Sequence, residues 1–302
     1  MHLHQPGGRA QIPLPYGAND ERRVIPFLKW PGGKRWIVPQ LQDILGSFRF
    51  DRYFEPFLGG AALFFALRPS KAILSDLNPD LINTYVQVKR HAALITRALR
   101  RLPVNAKTYE RVRSNMPASR LERAVRFLYL NRTAFGGIYR LNQNGAFNVP
   151  FGGGQRTPEA LWRDHLLSSA SSALKNATLL SCDFEKATED ATENDLVYFD
   201  PTYTVAHSNN GFVRYNERNF AWADQKRLAS CCKRLACRGA VVLVTNAAHQ
   251  EIIDLFRADA IHTVQRPSLL CPDVTKRRLV KECIFVFGAR KIRVSAGLGR
   301  RP

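Results

Sequence analysis

The 302-residue chain is poor in acid: 25 Asp plus Glu stand against 45 Lys plus Arg, a formal net charge of +20. The excess recurs along the chain rather than in one tail, and it predicts a polyanionic partner, with a basic solubility surface as the plain alternative. No basic amphipathic helix carries an apolar membrane face, so nucleic acid is the expected partner rather than acidic lipid. The first residues, MHLHQPGGRAQIPLPYG, lack an apolar run and are broken by Pro and Gly, which argues against a signal peptide or anchor and predicts a cytoplasmic protein. The six cysteines (Cys182, Cys231, Cys232, Cys237, Cys271, Cys283) show no CxxC pair and no His in ligand register, so no metal is expected and the thiols read as reduced. Internal repeats and long low-complexity segments are absent as well. What remains is a chain with 45% hydrophobic residues, enough for one large domain or a catalytic domain with a smaller companion.

Along the chain, residues 1–23 read as a flexible arm rich in Pro, Gly and polar residues. From 24 to 80, short apolar runs alternate with helical stretches, as in YFEPFLGGAALFFAL followed by KAILSDLN, the rhythm of an α/β sheet. From 81 to 170 the pattern turns helical and Arg-rich, in HAALITRALRRL and SRLERAVRFLYLNR, and predicts an inserted helical subdomain. Within it, IYRLNQNGAFNVPF places Asn144-Gly145 between two short runs, a strong hairpin signal. The α/β rhythm resumes over 171–288 with ATLLSC, DLVYFD, the helix WADQKRLASCCKRLA, and the strands GAVVLVTN and LVKECIFVFG. Residues 289–302 read as a basic tail.

Three segments carry chemistry. In YFEPFLGGAALFFAL a strand-like run meets Gly59-Gly60 and then an apolar helix, which lets a ligand approach backbone at a helix start, or makes an ordinary turn. The next strand ends in Asp76, about where nucleotide-binding α/β folds place an acid on a ribose; capping the helix that begins near Pro79 is its alternative. In DLVYFDPTY a buried strand ends in Asp200, followed by Pro201, Thr202 and Tyr203. An exocyclic aromatic amine is a poor nucleophile because its lone pair is delocalised into the ring. Asp200 and the Pro201 carbonyl can each accept a hydrogen bond from one of its N–H groups, and Tyr203 offers a face for a flipped base; a strand-terminating turn is the alternative. In FLKWPGGKR, Trp30 suits stacking and Lys34 suits a carboxylate, or they are a core Trp and a surface Lys.

FLKWPGGK, EPFLGG, SDLN, LNRTAFGGIYRLNQNGAFNVPFG, CDF, DPTY and FVRYNERNF occur in this order, and as a set they resemble the Dam-like family of adenine-N6 DNA methyltransferases, from about Val24 to Gly288. The resemblance implies a Rossmann-like methyltransferase sheet, mostly parallel with helices on both faces, plus a helical target-recognition domain bearing a β-hairpin. It implies methyl transfer from S-adenosylmethionine to adenine N6 in double-stranded DNA. Carried over by motif, Trp30, Lys34, Phe57, Gly59, Asp76, Asp183 and Asp200 line the cofactor pocket, while Asp200, Pro201 and Tyr203 hold the adenine. Arg140 matches a guanine-reading position. Phe135 and Ile138 match positions that wedge into the opened duplex, an ordinary hairpin core being the alternative. Lys276, Arg277 and Arg278 match a phosphate-contacting segment. Arg120, Arg123 and Arg126 share a helical face and suit the DNA backbone, or solvent. Thr202 stands where many members have a second Pro, and Gly136 where well-known members have Asn; GATC is the default target. A monomer without an obligate protein partner is the expectation. Two rival readings are a catalytically inactive DNA-binding protein of this fold and an amine methyltransferase acting on RNA or protein.

Overall fold

The computed structural model describes residues 24–142, 144–154, 156–203, 220–267 and 279–292. The initial arm, the residues 276–278, most of FVRYNERNF and most of the basic tail therefore lie outside the described residues.

One sheet of seven strands organises the chain, in the order β3-β2-β1-β4-β5-β7-β6. Strands β1 (Tyr53–Glu55), β2 (Ala72–Ser75), β3 (Ala177–Leu180), β4 (Leu196–Phe199) and β5 (Val241–Ala247) run parallel. Strand β7 (Leu279–Phe287) is antiparallel to β5, and β6 (Ala260–Pro267) closes the edge antiparallel to β7. Central parallel strands are covered on both faces, which is why LVYF in β4 is buried throughout and reads as an unbroken apolar run. Alternation along the strands divides the core in two: Tyr53, Tyr198 and Leu243 join one apolar cluster, Phe54, Phe199 and Val244 the other.

Helices α1 (Val38–Leu45) and α2 (Ala62–Leu67) supply the first cluster with Leu41 and Phe64. On the other side, α8 (Phe184–Ala187), α9 (Trp222–Cys237) and α10 (Gln250–Phe256) bring Phe184, Leu228 and Phe256 against Phe199 and Phe285. Fully burying a side chain of this size stabilises the fold by roughly 1.5–3 kcal/mol.

The helical pattern after β2 forms α3 (Pro79–Arg100), α4 (Ala106–Ser114), α5 (Arg120–Thr133), α6 (Pro158–Leu161) and α7 (Leu166–Ala173), all before the chain returns to β3. Each long helix begins on a polar cap. Asn78 accepts from the Asp80 and Leu81 N–H groups, Asn105 from Thr108 N–H, and Ser119 from Glu122 N–H. Pro79 fits the first turn of α3, where its missing N–H is not needed. Between α5 and α6 the chain makes a short hairpin. It is narrower than the sequence pattern suggests: single bridges pair Leu141 with Phe147 and Ala134 with Phe151. Its tip is closed by Asn142 N–H donating to Ala146 C=O and by the Asn142 side chain accepting from Asn144 N–H and Ala146 N–H.

Candidate active site

The sheet order reverses between β1 and β4: β1 leads outward to β2 and β3, β4 outward to β5. Such a switch point opens a crevice beyond the carboxyl ends of the strands. Glu55-Pro56-Phe57 and Asp200-Pro201-Thr202-Tyr203 leave β1 and β4 on its two sides.

A compact ionic cluster fills its floor. Lys34 Nζ lies 3.0 Å from Asp200 Oδ1 and 3.5 Å from Glu282 Oε2. Thr245 Oγ1, in the C-terminal half of β5, donates to the same Asp200 oxygen at 2.6 Å. Tyr203 donates its hydroxyl to Glu282 Oε2 at 2.7 Å, and its ring centroid is 4.3 Å from Lys34 Nζ. Lys34 and Glu282 are buried, whereas the Asp200 side chain keeps 20% of its surface exposed. Both hydrogen-bond donors therefore hold Oδ1, and among the described residues none reaches Oδ2. Burial pushes the Asp200 carboxyl up; Lys34 and Thr245 pull it down and the Glu282 charge adds to the rise. Behind it, Glu55 is fully buried, accepting from Tyr53 OH at 2.8 Å and Phe64 N–H at 3.2 Å, and burial lifts its pKa to about 8.

Lys34, expected on a cofactor or a surface, thus serves two carboxylates of the protein itself. Sequence reading missed Glu282, Thr245 and Glu55 as members of this cluster. A lone acid inside the apolar run of LVKECIFVF was the available signal for Glu282, but only the β5–β7 register, which sets Glu282 opposite Ala247, carries it to the crevice.

On the β2 side, Asp76 takes Gly59 N–H on Oδ2 at 3.1 Å and Asn78 N–H on Oδ1 at 3.0 Å. Helix capping falls to Asn78, not to Asp76. Burial raises the Asp76 carboxyl and the two backbone bonds offset part of that rise. Gly59 has φ +42°, and a Cβ there would lie 2.7 Å from Trp30 Cδ1, so a close backbone-to-indole approach requires glycine. Trp30 stacks with Tyr139 at 5.7 Å and Phe127 at 6.3 Å between centroids, tying the FLKWPGGK segment to the hairpin region. Phe57 packs among Phe184, Phe199 and Phe220. Asp183 caps α8 through Glu185 N–H and pairs with Arg227 at 2.9 Å.

The hairpin projects Phe135, 61% exposed, from the turn after α5, while Ile138 is half-buried and packs on the core. Gly136 between them has φ +62°, ψ +3°, a left-handed conformation that Asn also tolerates, which accounts for either residue at this place. Arg140 is exposed, with Nε on Asn148 Oδ1 at 2.9 Å. Of the three arginines on one face of α5, Arg123 pairs with Asp80 and Arg126 donates to the Val112 and Arg113 carbonyls, so these two brace the fold.

A switch-point crevice on this sheet, floored by an Asp-Pro-Thr-Tyr strand end, defines a Rossmann-like methyltransferase. A family model, the D12 class N6 adenine-specific DNA methyltransferase, matches residues 30–267. The chain is 36% identical over 250 residues to a type II methyltransferase of Lactococcus lactis subsp. cremoris, covering 80% of this chain and 87% of that one. It is 32% identical over 276 residues to a DNA adenine methylase of Haemophilus influenzae, covering 88% and 94%. A DNA N-6-adenine-methyltransferase of Escherichia phage P1 is 34% identical over 249 residues, covering 78% of this chain and 32% of that longer one. The chain belongs to the D12 class of N6 adenine-specific DNA methyltransferases. It is an S-adenosylmethionine-dependent enzyme acting on adenine in DNA. No helix among the described residues is long and apolar enough to cross a membrane.

Proposed function

We propose that the enzyme methylates one adenine at a time in a short duplex site, with the base swung out of the stack into the β1/β4 crevice and Asp200 aligning its N6 amine. The observation that carries this reading is the asymmetry of the Asp200 carboxylate: Oδ1 is held by Lys34 and Thr245 while Oδ2 keeps its acceptor capacity. With the Pro201 carbonyl as second acceptor, the two N6 protons can be bound so that nitrogen pyramidalises and its lone pair points at the donor. Tyr203 supplies the stacking face. Transfer is direct, driven by positioning and charge stabilisation, without a covalent enzyme intermediate.

The residues present fit S-adenosylmethionine, which when bound supplies an electrophilic methyl group on sulfur. Among the described residues the Asp76 oxygens each hold one backbone N–H, leaving lone pairs for a ribose diol, and Phe57 with its aromatic neighbours offers an apolar wall for the adenine ring. Gly59, Trp30 and Asp183 complete this pocket in our reading, and Lys34 contributes through Asp200.

The segment 81–170 is the target-recognition domain in this proposal, between a cofactor-binding part at 24–80 and a second catalytic part at 171–288. Arg140 reads a guanine, and Phe135, with Ile138 behind it, fills the gap left by the extruded base. Beside the hairpin, Arg132 donates to Phe27 C=O and Arg156 to the Arg132 and Gly153 carbonyls, neutral acceptors that leave their charge available to phosphate. Lys276, Arg277 and Arg278 extend this basic surface. The enzyme acts as a cytoplasmic monomer, and GATC is the first site to try.

Transfer of labelled methyl to unmethylated duplex DNA, followed by nucleoside analysis and site mapping, tests the proposal: N6-methyladenine within one short motif is expected from the wild type. An Asp200→Ala variant that methylates at the wild-type rate overturns the mechanism.

A further inference from the structure

Glu282 has no part in the mechanism above, yet it is fully buried, and its carboxylate meets Tyr203 OH at 2.7 Å and Lys34 Nζ at 3.5 Å. Its position follows from the sheet: β7 sets it opposite Ala247 on β5 and Val264 on β6, next to the C-terminal half of β5 that carries Thr245. A carboxylate loses a large hydration energy on burial and needs compensating partners. Part of that compensation is the same lysine that holds Asp200, so one buried ammonium is shared between two acids.

We infer that Glu282 is a positioning residue for methyl transfer, drawing Lys34 partly away from Asp200 and fastening the Tyr203 ring by its hydroxyl. The inference rests on the proposed roles of Asp200 and Tyr203. Its two arms are chemically distinct. A lysine pairing with Asp200 alone would hold that carboxylate as a tighter ion pair and a weaker acceptor toward N6; sharing keeps Asp200 basic. The hydroxyl bond limits rotation of the Tyr203 ring, the face offered to the extruded base, at little entropic cost once the protein is folded.

Among the described residues, the groups facing Asp200 are Lys34 from the segment before α1, Glu55 from β1, Tyr198 from β4, Tyr203 beyond it, Thr245 from β5 and Glu282 from β7. Glu282 is the acid among them that also touches Lys34, and its charge contributes to the raised Asp200 carboxyl. Removing the charge while keeping shape should lower the Asp200 pKa.

Three variants decide the matter: Glu282→Gln, Tyr203→Phe and Asp200→Ala. Single-turnover rates across pH, DNA affinity, calorimetric cofactor affinity, and the fluorescence of a 2-aminopurine placed at the target base are compared. Glu282→Gln still offers an oxygen to Tyr203 OH but carries no charge; the rate should fall about tenfold or more and the acid limb should move to lower pH. Tyr203→Phe keeps the buried charges, and should leave the acid limb in place while weakening the 2-aminopurine signal. Loss of packing alone would lower thermal stability without moving the limb. A Glu282→Gln enzyme with wild-type rate and limb overturns the inference if Asp200→Ala is inactive; an active Asp200→Ala enzyme overturns the underlying mechanism instead. Should Glu282→Gln fail to fold, Glu282→Asp decides by the same limb: with the charge kept it must stay at the wild-type pH, and a shift overturns the inference.

Discussion

The crevice floor and the hairpin region treat their cations in opposite ways. In the crevice, Lys34 is buried between Asp200 and Glu282, and nearby Arg227 is held by Asp183, Glu185 and Asp224. Around the hairpin, Arg132, Arg140 and Arg156 donate instead to backbone carbonyls or to the amide oxygen of Asn148. Carboxylate partners fix a geometry and neutralise charge; neutral acceptors fix geometry and leave the charge for another anion. The first arrangement suits transfer chemistry in a secluded site, and the second suits capture of a polyanion.

Breaking the crevice should give the largest effect. Asp200→Ala is expected to lower the methylation rate by about a thousandfold or more, in line with losing a group aimed at developing charge. Retention of duplex DNA in a gel-shift assay should change little, because the hairpin cations are untouched. A parallel loss of DNA retention would show that the two regions are not separable.

The buried acid behind Asp200 gives the next effect, on stability. The Glu55 pKa is lifted to about 8 in the folded protein. The folded state then holds a proton that the unfolded chain has released, between the ordinary Glu range near 4.3 and about 8. Stability contributed by this proton is full below that range and is lost as pH rises through it, by up to about 1.4 kcal/mol per pH unit. Denaturant unfolding of the wild type and of Glu55→Gln, at several pH values, should show the two curves diverging with rising pH. Parallel curves would mean Glu55 is charged in the fold.

Much of the sheet was legible in the sequence. The strands β1, β2, β3, β4, β5 and β7 announce themselves as apolar runs, and the strand-end residues Asp76 and Asp200 follow from them, since the sheet itself determines where such residues meet. Strand β6 and helix α10 escaped notice: β6 is an edge strand paired only with β7, its residues from Ile261 to Gln265 mostly exposed, so no apolar period marks it. The partners of Asp200 were hidden for another reason. Lys34 is 166 positions before it and Glu282 is 82 after it, and nothing local in either segment says that an ammonium and two carboxylates converge. Likewise, Arg123 and Arg126 share a face with Arg120 by spacing, but only the packing of α3 and α4 against α5 shows that Asp80 and two carbonyls already hold them.

On the hairpin side, Arg140→Ala should reduce kcat/KM at the preferred site by about 10–100-fold, the equivalent of the roughly 1–3 kcal/mol that a bidentate base contact discriminates. The loss should be accompanied by relaxed choice at a single base pair, read by mapping methylated sites. A uniform loss over all sequences would reassign Arg140 to the phosphates.

Arg156→Gln should have the smallest effect and the most diagnostic form. Its guanidinium braces Arg132 and Gly153 carbonyls from a half-buried position, contacts that a Gln amide can partly replace, so folding should change little. If the charge serves one phosphate, binding to duplexes of any sequence weakens alike, and the slope of log K against log salt falls by about 0.9. Site choice should stay as in the wild type, because a phosphate contact carries no base identity. An unchanged slope would mean that Arg156 only braces the hairpin, and the contrast between carboxylate-paired cations and those on neutral acceptors would then rest on Arg132 and Arg140.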